Sequence, residues 1–332
     1  MQGLLSRRRA LALVTALSAS FASFGLFIGH AQAQTAAPAN PAELRIGFQK
    51  YGTLTVLKAK GDLEKRLAPL GITVKWTEFP AGPQLLEGLN VGSIDFGTVG
   101  EAPPIFAQAA GADLVYVANQ PPAPTAEALV VPKDSPIRTL ADLKGKKIAL
   151  NKGSNVHYLL VKLLEKRGLK YSDIQVVYLP PADARAAFER GAVDAWVIWD
   201  PFLAAAERQL GARVVADGQG VVANHQFYLA ARTYADKHPQ VIQAIVDELA
   251  KLDRWSQSNT GAVAALLAPQ IGLDVATTEL AATRFAYGIQ LITPAIAAEQ
   301  QKIADAFHAL KLIPKPIRIA DALPKAVRTA AK

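Results

Sequence analysis

The sequence predicts an α/β fold in which strands and helices alternate to form two lobes around a cleft. Between residues 44 and 231, short apolar strands are separated by helical segments, which is typical of parallel sheets covered by helices. The motif Gly-x-x-Asp, with an apolar strand after it, also occurs twice, beginning at Gly92 and at Gly191. A unit that is built twice in one chain predicts two related lobes.

The first part of the chain is expected to form most of one sheet. Strands are predicted at residues 44–48, 72–79, 93–99, 113–119 and 126–131, with a helix that follows the loop 49–52 through residue 67 and another at residues 82–89. A polar, proline-rich segment at residues 132–136 follows the last of these strands. Such segments commonly connect domains, so the first crossing between the lobes is predicted there.

The second part predicts another sheet followed by a helical end. Strands at residues 147–150, 174–179, 192–199 and 213–216 alternate with helices that end at residues 168, 190 and 210, and a strand at 226–231 returns to the first lobe. Beyond residue 234, apolar residues recur every three or four positions, which predicts helices packed on the first lobe. The expected domains are residues 43–132 with 226–315 as lobe 1, and residues 133–225 as lobe 2.

The amino terminus has the features of a secretory signal peptide. Arg7 to Arg9 precede an apolar run at residues 10–28, and Ala31-Gln32-Ala33 forms a small-x-small cleavage site. Residues 1–33 are therefore expected to be removed, leaving the mature chain free in the periplasm. No cysteine follows the run, which argues against a lipid anchor, and its serines and glycine disfavour an uncleaved membrane span. Both the general secretory and the twin-arginine export routes remain open.

The formal net charge of +8 does not indicate a nucleic-acid partner. Three positive charges lie in the signal peptide, and residues 311–332 carry six Lys or Arg against one Asp. The body of the chain is close to neutral and has no basic stripe that would match a phosphate backbone. Residues 316–332 are expected to form a basic, solvent-exposed tail. The chain contains no cysteine, which excludes disulfides and thiolate metal sites.

One helix start is a candidate anion site. The predicted strand at residues 147–150 breaks at Gly153, Ser154 and Asn155, and apolar residues then recur at helical spacing. Glycine permits a tight turn, and the first N–H groups of a helix lack acceptors within the helix, so they attract anions. Ser and Asn are also common helix caps, which is the alternative explanation. We expect a small organic anion to bind at these three residues.

The repeat places carboxylates at corresponding ends of two strands. Glu101 corresponds to Asp200, and a proline follows each of them within two residues. Asp before Pro is a good helix cap, whereas Glu is a poor one. A bare carboxylate about 4 Å from a bound anion costs on the order of 4 kcal/mol at an effective dielectric constant of 20. Both side chains are therefore expected to point away, to accept N–H groups, or to face a cationic group on the ligand.

Residues 90–118, 121–166 and 191–207 resemble the periplasmic substrate-binding proteins of ABC importers for aliphatic sulfonates. The segments VGEAPP (residues 99–104) and GSNVHYLLVK (residues 153–162) are the most specific and favour the sulfonate branch over the taurine and nitrate branches. The resemblance implies a bilobal, type II fold with two parallel-core α/β domains joined by two crossing strands. It also implies a monomer that captures an alkanesulfonate and delivers it to a membrane permease and its ATPase.

Four further residues are expected to contact the ligand. Gln49 follows the first strand, where its amide would donate to an anion oxygen, and Gly100 would offer its N–H or serve only a turn. Trp199 lies at a strand end and is expected to cover an alkyl chain, with core packing as the alternative. His225 is expected at the rim of the cleft, as is His157.

No metal or cofactor is predicted, because neither histidine belongs to a ligand motif. The leading hypothesis is a binding protein without chemistry of its own, with taurine, nitrate or another small anion as alternative ligands. An enzyme on the same scaffold, using Glu101 or Asp200 as acid or base, is the alternative from another class.

Overall fold

The computed structural model describes residues 42–325 and residue 327, so the predicted signal peptide lies outside the described residues. Its strands are β1 (Ala42–Phe48), β2 (Ile72–Glu78), β3 (Phe96–Gly100), β4 (Leu114–Asn119), β5 (Glu127–Val131), β6 (Lys147–Leu150), β7 (Gln175–Tyr178), β8 (Ala195–Trp199), β9 (Arg213–Asp217), β10 (Gln226–Ala231) and β11 (Gln290–Leu291). Its α-helices are α1 (Gly52–Lys60), α2 (Asp62–Leu67), α3 (Gly82–Asn90), α4 (Pro103–Ala109), α5 (Asn155–Lys166), α6 (Pro181–Glu189), α7 (Phe202–Leu210), α8 (Arg232–Lys237), α9 (Pro239–Gln257), α10 (Thr260–Ile271), α11 (Val275–Arg284) and α12 (Pro294–Ala309).

The strands form two mixed sheets that share one arrangement of five strands, to which the first sheet adds β11. The first has the order β2-β1-β3-β10-β4-β11, and the second has the order β7-β6-β8-β5-β9. In each sheet three neighbouring strands are parallel, and the next strand, β10 or β5, is antiparallel to them. The prediction of two α/β lobes with parallel cores is confirmed. The sheets are mixed because each receives one strand that enters from the other lobe.

The strand β5 belongs to the second sheet, where it pairs with β8 and β9. The sequence pattern predicts it in the first lobe, and this prediction is wrong because the proline-rich segment at residues 132–136 lies beyond the crossing. The first crossing is the segment 120–126, and the second is the segment 218–225. Backbone hydrogen bonds join them, including Ala123 N–H to Ala223 O at 3.0 Å.

The repeated motif has the same structure in both sheets. Asp95 Oδ2 accepts the backbone N–H of Arg45 in β1 at 2.9 Å, and Asp194 Oδ2 accepts that of Lys147 in β6 at 2.7 Å. In return, the backbone N–H of each aspartate donates to the carbonyl of the same partner residue, at 2.7 and 2.8 Å. Each aspartate therefore fixes the register between two parallel strands, and the predicted repeat is confirmed.

The carboxyl-terminal helices pack on the first sheet, as predicted. Val241, Ile245 and Leu249 of α9 are buried in one apolar cluster with the side chains of β1. The predicted solvent-exposed tail is wrong for residues 319–323, because Ile319 and Leu323 are each 1% exposed within the core of the first lobe. The prediction of a tail rests on a count of charge over residues 311–332, and such a count does not register the apolar side chains of residues 319–323.

Two helical details also differ from the sequence pattern. The predicted helix ending at residue 67 is divided by Gly61, whose φ of +65° ends α1 and allows α2 to begin. The short strand β11 interrupts the helical end. Among the described residues, no single helix has both the length and the apolar composition of a membrane span. Within the part of the chain that the structure describes, one pair of helices, α10 and α11, meets those criteria together, and this pair is bent by 117°.

Replacing Asp95 by alanine should lower the free energy of unfolding by about 2 to 4 kcal/mol, because its carboxylate accepts hydrogen bonds from charged and backbone donors of Arg45. Asp194→Ala removes an acceptor near solvent and should cost about 1 kcal/mol. Urea denaturation measures both losses, with the exposed Asp134→Ala as the control. Equal stability of the Asp95 and Asp134 variants would contradict the structural role of the motif.

Candidate functional site

The carboxyl ends of β1, β3, β6 and β8 meet at a cleft between the two sheets, as expected for α/β proteins. The cleft has an empty volume of about 310 Å³. Among the described residues, those that line it are all uncharged: Gln49, Tyr51, Gly82, Gly100, Pro103, Ser154, Asn155, Trp199, Asn224 and Gln226. Five of the predicted site residues are therefore brought together here.

Four helices begin at the lining of the cleft. One of them, α4, begins with Pro103 and Pro104, which have no N–H to donate. The other three are α1, whose N-cap is Tyr51, together with α3 at Gly82 and α5 at Asn155. In the described structure no side chain caps any of these three helix starts. The first N–H groups of each helix therefore keep their partial positive charge towards the cleft. This arrangement suits a small anion without any cationic side chain.

Ser154 is the N-cap residue of α5, but its hydroxyl does not cap the helix. The hydroxyl instead donates to the carbonyl of Asn151 at 2.7 Å. The alternative of an ordinary side-chain cap is therefore excluded for Ser154. Because the serine side chain turns back towards the preceding loop, the amino-terminal N–H groups of α5 remain open.

Gly153 lies beside the cleft and not in its lining. Its φ is +75°, and its N–H donates to Nδ1 of His157 at 3.2 Å, so this N–H is already used within the protein. His157 is fully buried, and Nε2 bonds the hydroxyl of Tyr171 at 2.8 Å. The prediction that His157 lies at the rim is wrong. Burial lowers the pKa of His157 to about 4, with a smaller contribution from Lys152, so the ring is neutral near pH 7.

Asn155 reaches across the cleft to the first sheet. Its Oδ1 accepts the N–H of Ala102 at 3.1 Å, and its Nδ2 donates to Oδ1 of Asn224 at 2.5 Å. A Cβ atom at Gly100 would lie only 2.1 to 2.3 Å from the amide atoms of Asn155. Glycine is therefore required at position 100 for space, so that the Asn155 side chain can lie against the backbone.

Both predicted carboxylates accept hydrogen bonds from the protein. Glu101 is 1% exposed, and its Oε2 accepts the N–H of His225 at 3.0 Å. Asp200 Oδ1 accepts the N–H of Ala204 at 2.9 Å, and Oδ2 lies 3.4 Å from Nη1 of Arg284. Burial raises the pKa of each carboxyl group to about 7, against the opposing effects of these donors and of Arg284. Of the three expected arrangements, acceptance of N–H groups is the one observed.

Glu101 and His225 line a different pocket from the cleft, together with Glu299. His225 is 5% exposed, and its Nδ1 donates to the carbonyl of Gln120 at 2.8 Å. Its Nε2 lies 3.5 Å from Glu299 Oε2.

Gln49 does line the cleft, and its Nε2 donates to the carbonyl of Thr98 at 3.1 Å, which fixes the amide at the end of β1. A ligand contact by Gln49, Glu101 or His225 stays a prediction.

A second pocket adjoins the cleft and extends it. The two share Tyr51, Trp199, Asn224 and Gln226, and the extension has an empty volume of about 430 Å³. The extension contains the ring of Phe285, whose centroid is 6.4 Å from that of Tyr51. Trp199 is half-buried and forms part of the wall of both spaces, whereas Trp196 is 1% exposed in the core. The extension therefore offers an aromatic surface next to the anion-binding end.

The sequence matches the NMT1-like family over residues 37–269, which is more than half of the chain. The chain belongs to the NMT1-like family. It is 49% identical over 287 residues to an Escherichia coli (strain K12) protein named for binding aliphatic sulfonates, covering 86% of this chain and 89% of the other. This identity confirms the resemblance found in the sequence.

Two solved structures have the same fold as this NMT1-like protein. The alkanesulfonate-binding protein SsuA from Xanthomonas axonopodis pv. citri, bound to MOPS, matches with a TM-score of 0.81 and 44% identity over 86% of this chain and 99% of that one. The periplasmic aliphatic sulphonate binding protein SsuA from Escherichia coli matches with a TM-score of 0.78 and 47% identity over 86% and 92%. The predicted bilobal periplasmic binding-protein fold is confirmed.

Five cleft residues of this NMT1-like protein are absent from the predicted site: Tyr51, Gly82, Pro103, Asn224 and Gln226. Gly82 begins the helix that follows β2, so its position at the carboxyl end of a parallel strand is a usable signal. Tyr51 and Gln226 are joined by a hydrogen bond of 2.6 Å between the tyrosine hydroxyl and the amide oxygen. Among the described residues, no group of three or more His, Asp or Glu side chains is placed to hold a metal ion.

Replacing Gly100 by alanine should displace Asn155 and leave the N–H of Ala102 without its acceptor. The expected loss in the free energy of unfolding is about 1 to 3 kcal/mol. Urea denaturation tests this loss. The control is Gly261→Ala in α10, where a Cβ atom would meet only Oε1 of Glu279 at 3.3 Å. Similar stability of the two variants would show that the cleft accommodates a side chain at position 100.

Stability should fall as pH rises from about 5 to about 7, because folded Glu101 keeps its proton to a pKa of about 7 while the unfolded chain has released it. Between pH 5 and pH 8, the free energy of unfolding should decrease by up to about 3 kcal/mol less in Glu101→Gln than in the parent protein. Asp200 and the buried Glu127 also have raised pKa values, so the stability of the variant should still depend on pH to some extent.

Chemical denaturation at both pH values measures this difference. The matched control is Glu279→Gln, at an exposed position of α11. An unchanged decrease in Glu101→Gln would mean that Glu101 is ionised throughout.

Proposed function

We propose that this protein is the substrate-binding component of an ABC importer and that it captures aliphatic sulfonates in the cleft. The observation that carries the proposal is the meeting of three uncapped helix starts at a cleft lined by uncharged side chains. The names of the relatives that share 44% to 49% of its residues agree with this chemistry. The comparison with these binding proteins favours binding without turnover.

The sulfonate headgroup fits the donors of the cleft. It is a permanent monoanion near pH 7, and its oxygens accept hydrogen bonds in several directions. A hydrogen bond to a charged group contributes about 1.5 to 3 kcal/mol, so a few donors suffice for the roughly 8 kcal/mol of micromolar binding. The amino-terminal N–H groups of α5 and the second N–H of the Asn155 amide are the proposed donors. Gln49, whose Nε2 donates to Thr98 and Tyr51, is proposed to contact the ligand as part of the wall of the cleft.

The alkyl part of the ligand is proposed to occupy the adjoining extension. Trp199 stands between the two spaces and Phe285 lies in the extension, so an alkyl chain attached to the sulfonate would lie against aromatic rings. Each buried CH₂ group contributes about 0.8 kcal/mol, close to a fourfold change in affinity. Affinity should therefore increase with chain length until the extension is filled.

The periplasm is the proposed location of this protein, and a membrane permease with its ATPase is the proposed partner. The relative of known structure in Escherichia coli is a periplasmic protein. We propose that this chain is exported by its amino-terminal signal, acts in the periplasm without a lipid anchor, and is a monomer. The loaded protein would then deliver its ligand to a membrane permease and its ATPase.

Asp200 gives no support to an enzyme on this scaffold, because both of its oxygens have protein partners at Ala204 and Arg284. Oε2 of Glu101 accepts the N–H of His225, while Oε1 is buried without a partner among the described residues. Taurine and nitrate remain the alternative ligands, and the titration below separates them from alkanesulfonates.

Calorimetric titration of the mature protein, refolded to remove any bound ligand, tests the function. One-to-one binding of methane-, butane- and octanesulfonate is expected, with affinity that increases with chain length, while sulfate and nitrate produce no heat. Heat from taurine or nitrate alone would identify a different ligand on the same fold. No binding of any of these anions would contradict the proposed anion site.

The Trp199→Ala variant tests the alkyl extension in the same titration. The variant should bind octanesulfonate about tenfold or more weakly, because apolar contact is lost, whereas its affinity for methanesulfonate should change much less. Trp255→Ala is the matched control, since Trp255 lies in α9 and packs against the core of the first lobe. An equal loss for both ligands would place the alkyl chain away from Trp199.

A further inference from the structure

The two crossings and the start of α5 meet at Asn224. This residue is 2% exposed and has a φ of +54°, a left-handed conformation that Asn adopts more readily than most residues. Its Nδ2 donates to the carbonyl of Ala123 in the first crossing at 2.8 Å, and its Oδ1 accepts from Nδ2 of Asn155 at 2.5 Å. One side chain therefore connects both crossings to the helix start at the cleft.

Asn155 continues this connection to the first sheet through the N–H of Ala102, which follows β3. The result is a single chain of hydrogen bonds from Ala123 through Asn224 and Asn155 to Ala102. All four residues are buried. A buried polar group that loses its partner pays its full desolvation cost, so the members of such a chain depend on one another. Gly100 provides the space in which the Asn155 amide lies.

We propose that Asn224 and Asn155 form a clasp that positions the start of α5 against the first sheet when a ligand is held. Asn224 is then a positioning residue for binding, because it orients Asn155, and Asn155 presents the open N–H groups of α5 to the anion. This inference rests on the proposed function for its effect on affinity. Its structural part does not, since the hydrogen-bond chain is complete in the protein alone.

The clasp differs from a direct ligand contact in two ways. A clasp acts on the arrangement of the two sheets, so its loss should weaken short and long sulfonates by the same factor. A contact with the headgroup or the alkyl chain would act independently of Asn155 and would depend on the ligand. The loss should also be found mainly in the dissociation rate, as for most changes that loosen a formed complex.

The variants that test the clasp are Asn224→Gly, Asn155→Ala and the double variant. Glycine adopts the left-handed conformation without strain, so Asn224→Gly removes the side chain and keeps the backbone. The matched control is Lys311→Gly, because Lys311 is exposed after α12 and also has a positive φ, of +57°. This control should bind as the parent protein does.

Titration with butanesulfonate and with octanesulfonate should show that each single variant binds either ligand about tenfold more weakly than the parent protein. The double variant should lose no more affinity than the single variant that binds less tightly. This outcome corresponds to a coupling of about tenfold, or 1.4 kcal/mol, between the two positions. Losses that multiply in the double variant, or that differ between the two ligands, would make the two asparagines independent contacts and overturn the clasp.

Amide hydrogen exchange at Ala102, measured without ligand, separates the clasp from the proposed function. Exchange should accelerate by about tenfold in Asn224→Gly, although Asn224 does not touch Ala102, and stay unchanged in Lys311→Gly. Unchanged exchange at Ala102 in Asn224→Gly would overturn the clasp. Failure of the parent protein to bind any sulfonate would overturn only the proposed function.

Discussion

The chain passes between its two sheets twice, and each passage inserts one antiparallel strand beside the parallel strands of the other lobe. The strand β10 enters next to β3, and β5 enters next to β8. The carboxyl ends of both sets of parallel strands therefore open onto the same cleft, with the crossings at its base. The helix starts of the site and Trp199 depend on this connection, since they lie at or directly after those strand ends.

The electrostatic design of the site follows from the same arrangement. Backbone dipoles supply positive potential at the cleft without Lys or Arg, while the carboxyl groups of Glu101 and Asp200 are buried and accept protein donors. A fixed dipole can stabilise a monoanion and still release it, because no pair of full charges has to be separated. Such a balance suits a protein that must hold its ligand and then give it up.

Much of the fold could be predicted because each lobe repeats one local pattern. The Gly-x-x-Asp motif identified Asp95 and Asp194, and the irregular segment before Asn155 identified the helix start. The sheet that receives β5 could not be predicted, because strand pairing is set by distant partners and residues 127–131 are apolar in either lobe. The same limitation applies to Ile319 and Leu323, whose burial depends on helices elsewhere in the chain. The roles of Asn224 and Gly100 could not be predicted either, because both depend on where the side chain of Asn155 lies in the folded protein.

The interleaved strand order also constrains how this chain can fold during synthesis. The second sheet uses strands from one continuous segment, residues 127–217, whereas β4 of the first sheet pairs only with β10 and β11 among the described residues. As the chain emerges from its amino terminus, β1, β2 and β3 can pair with one another, but β4 must wait for a strand that begins at Gln226. Pairings between such distant segments form slowly because closing a long loop costs entropy. The sheet that begins first is therefore the one that is completed last.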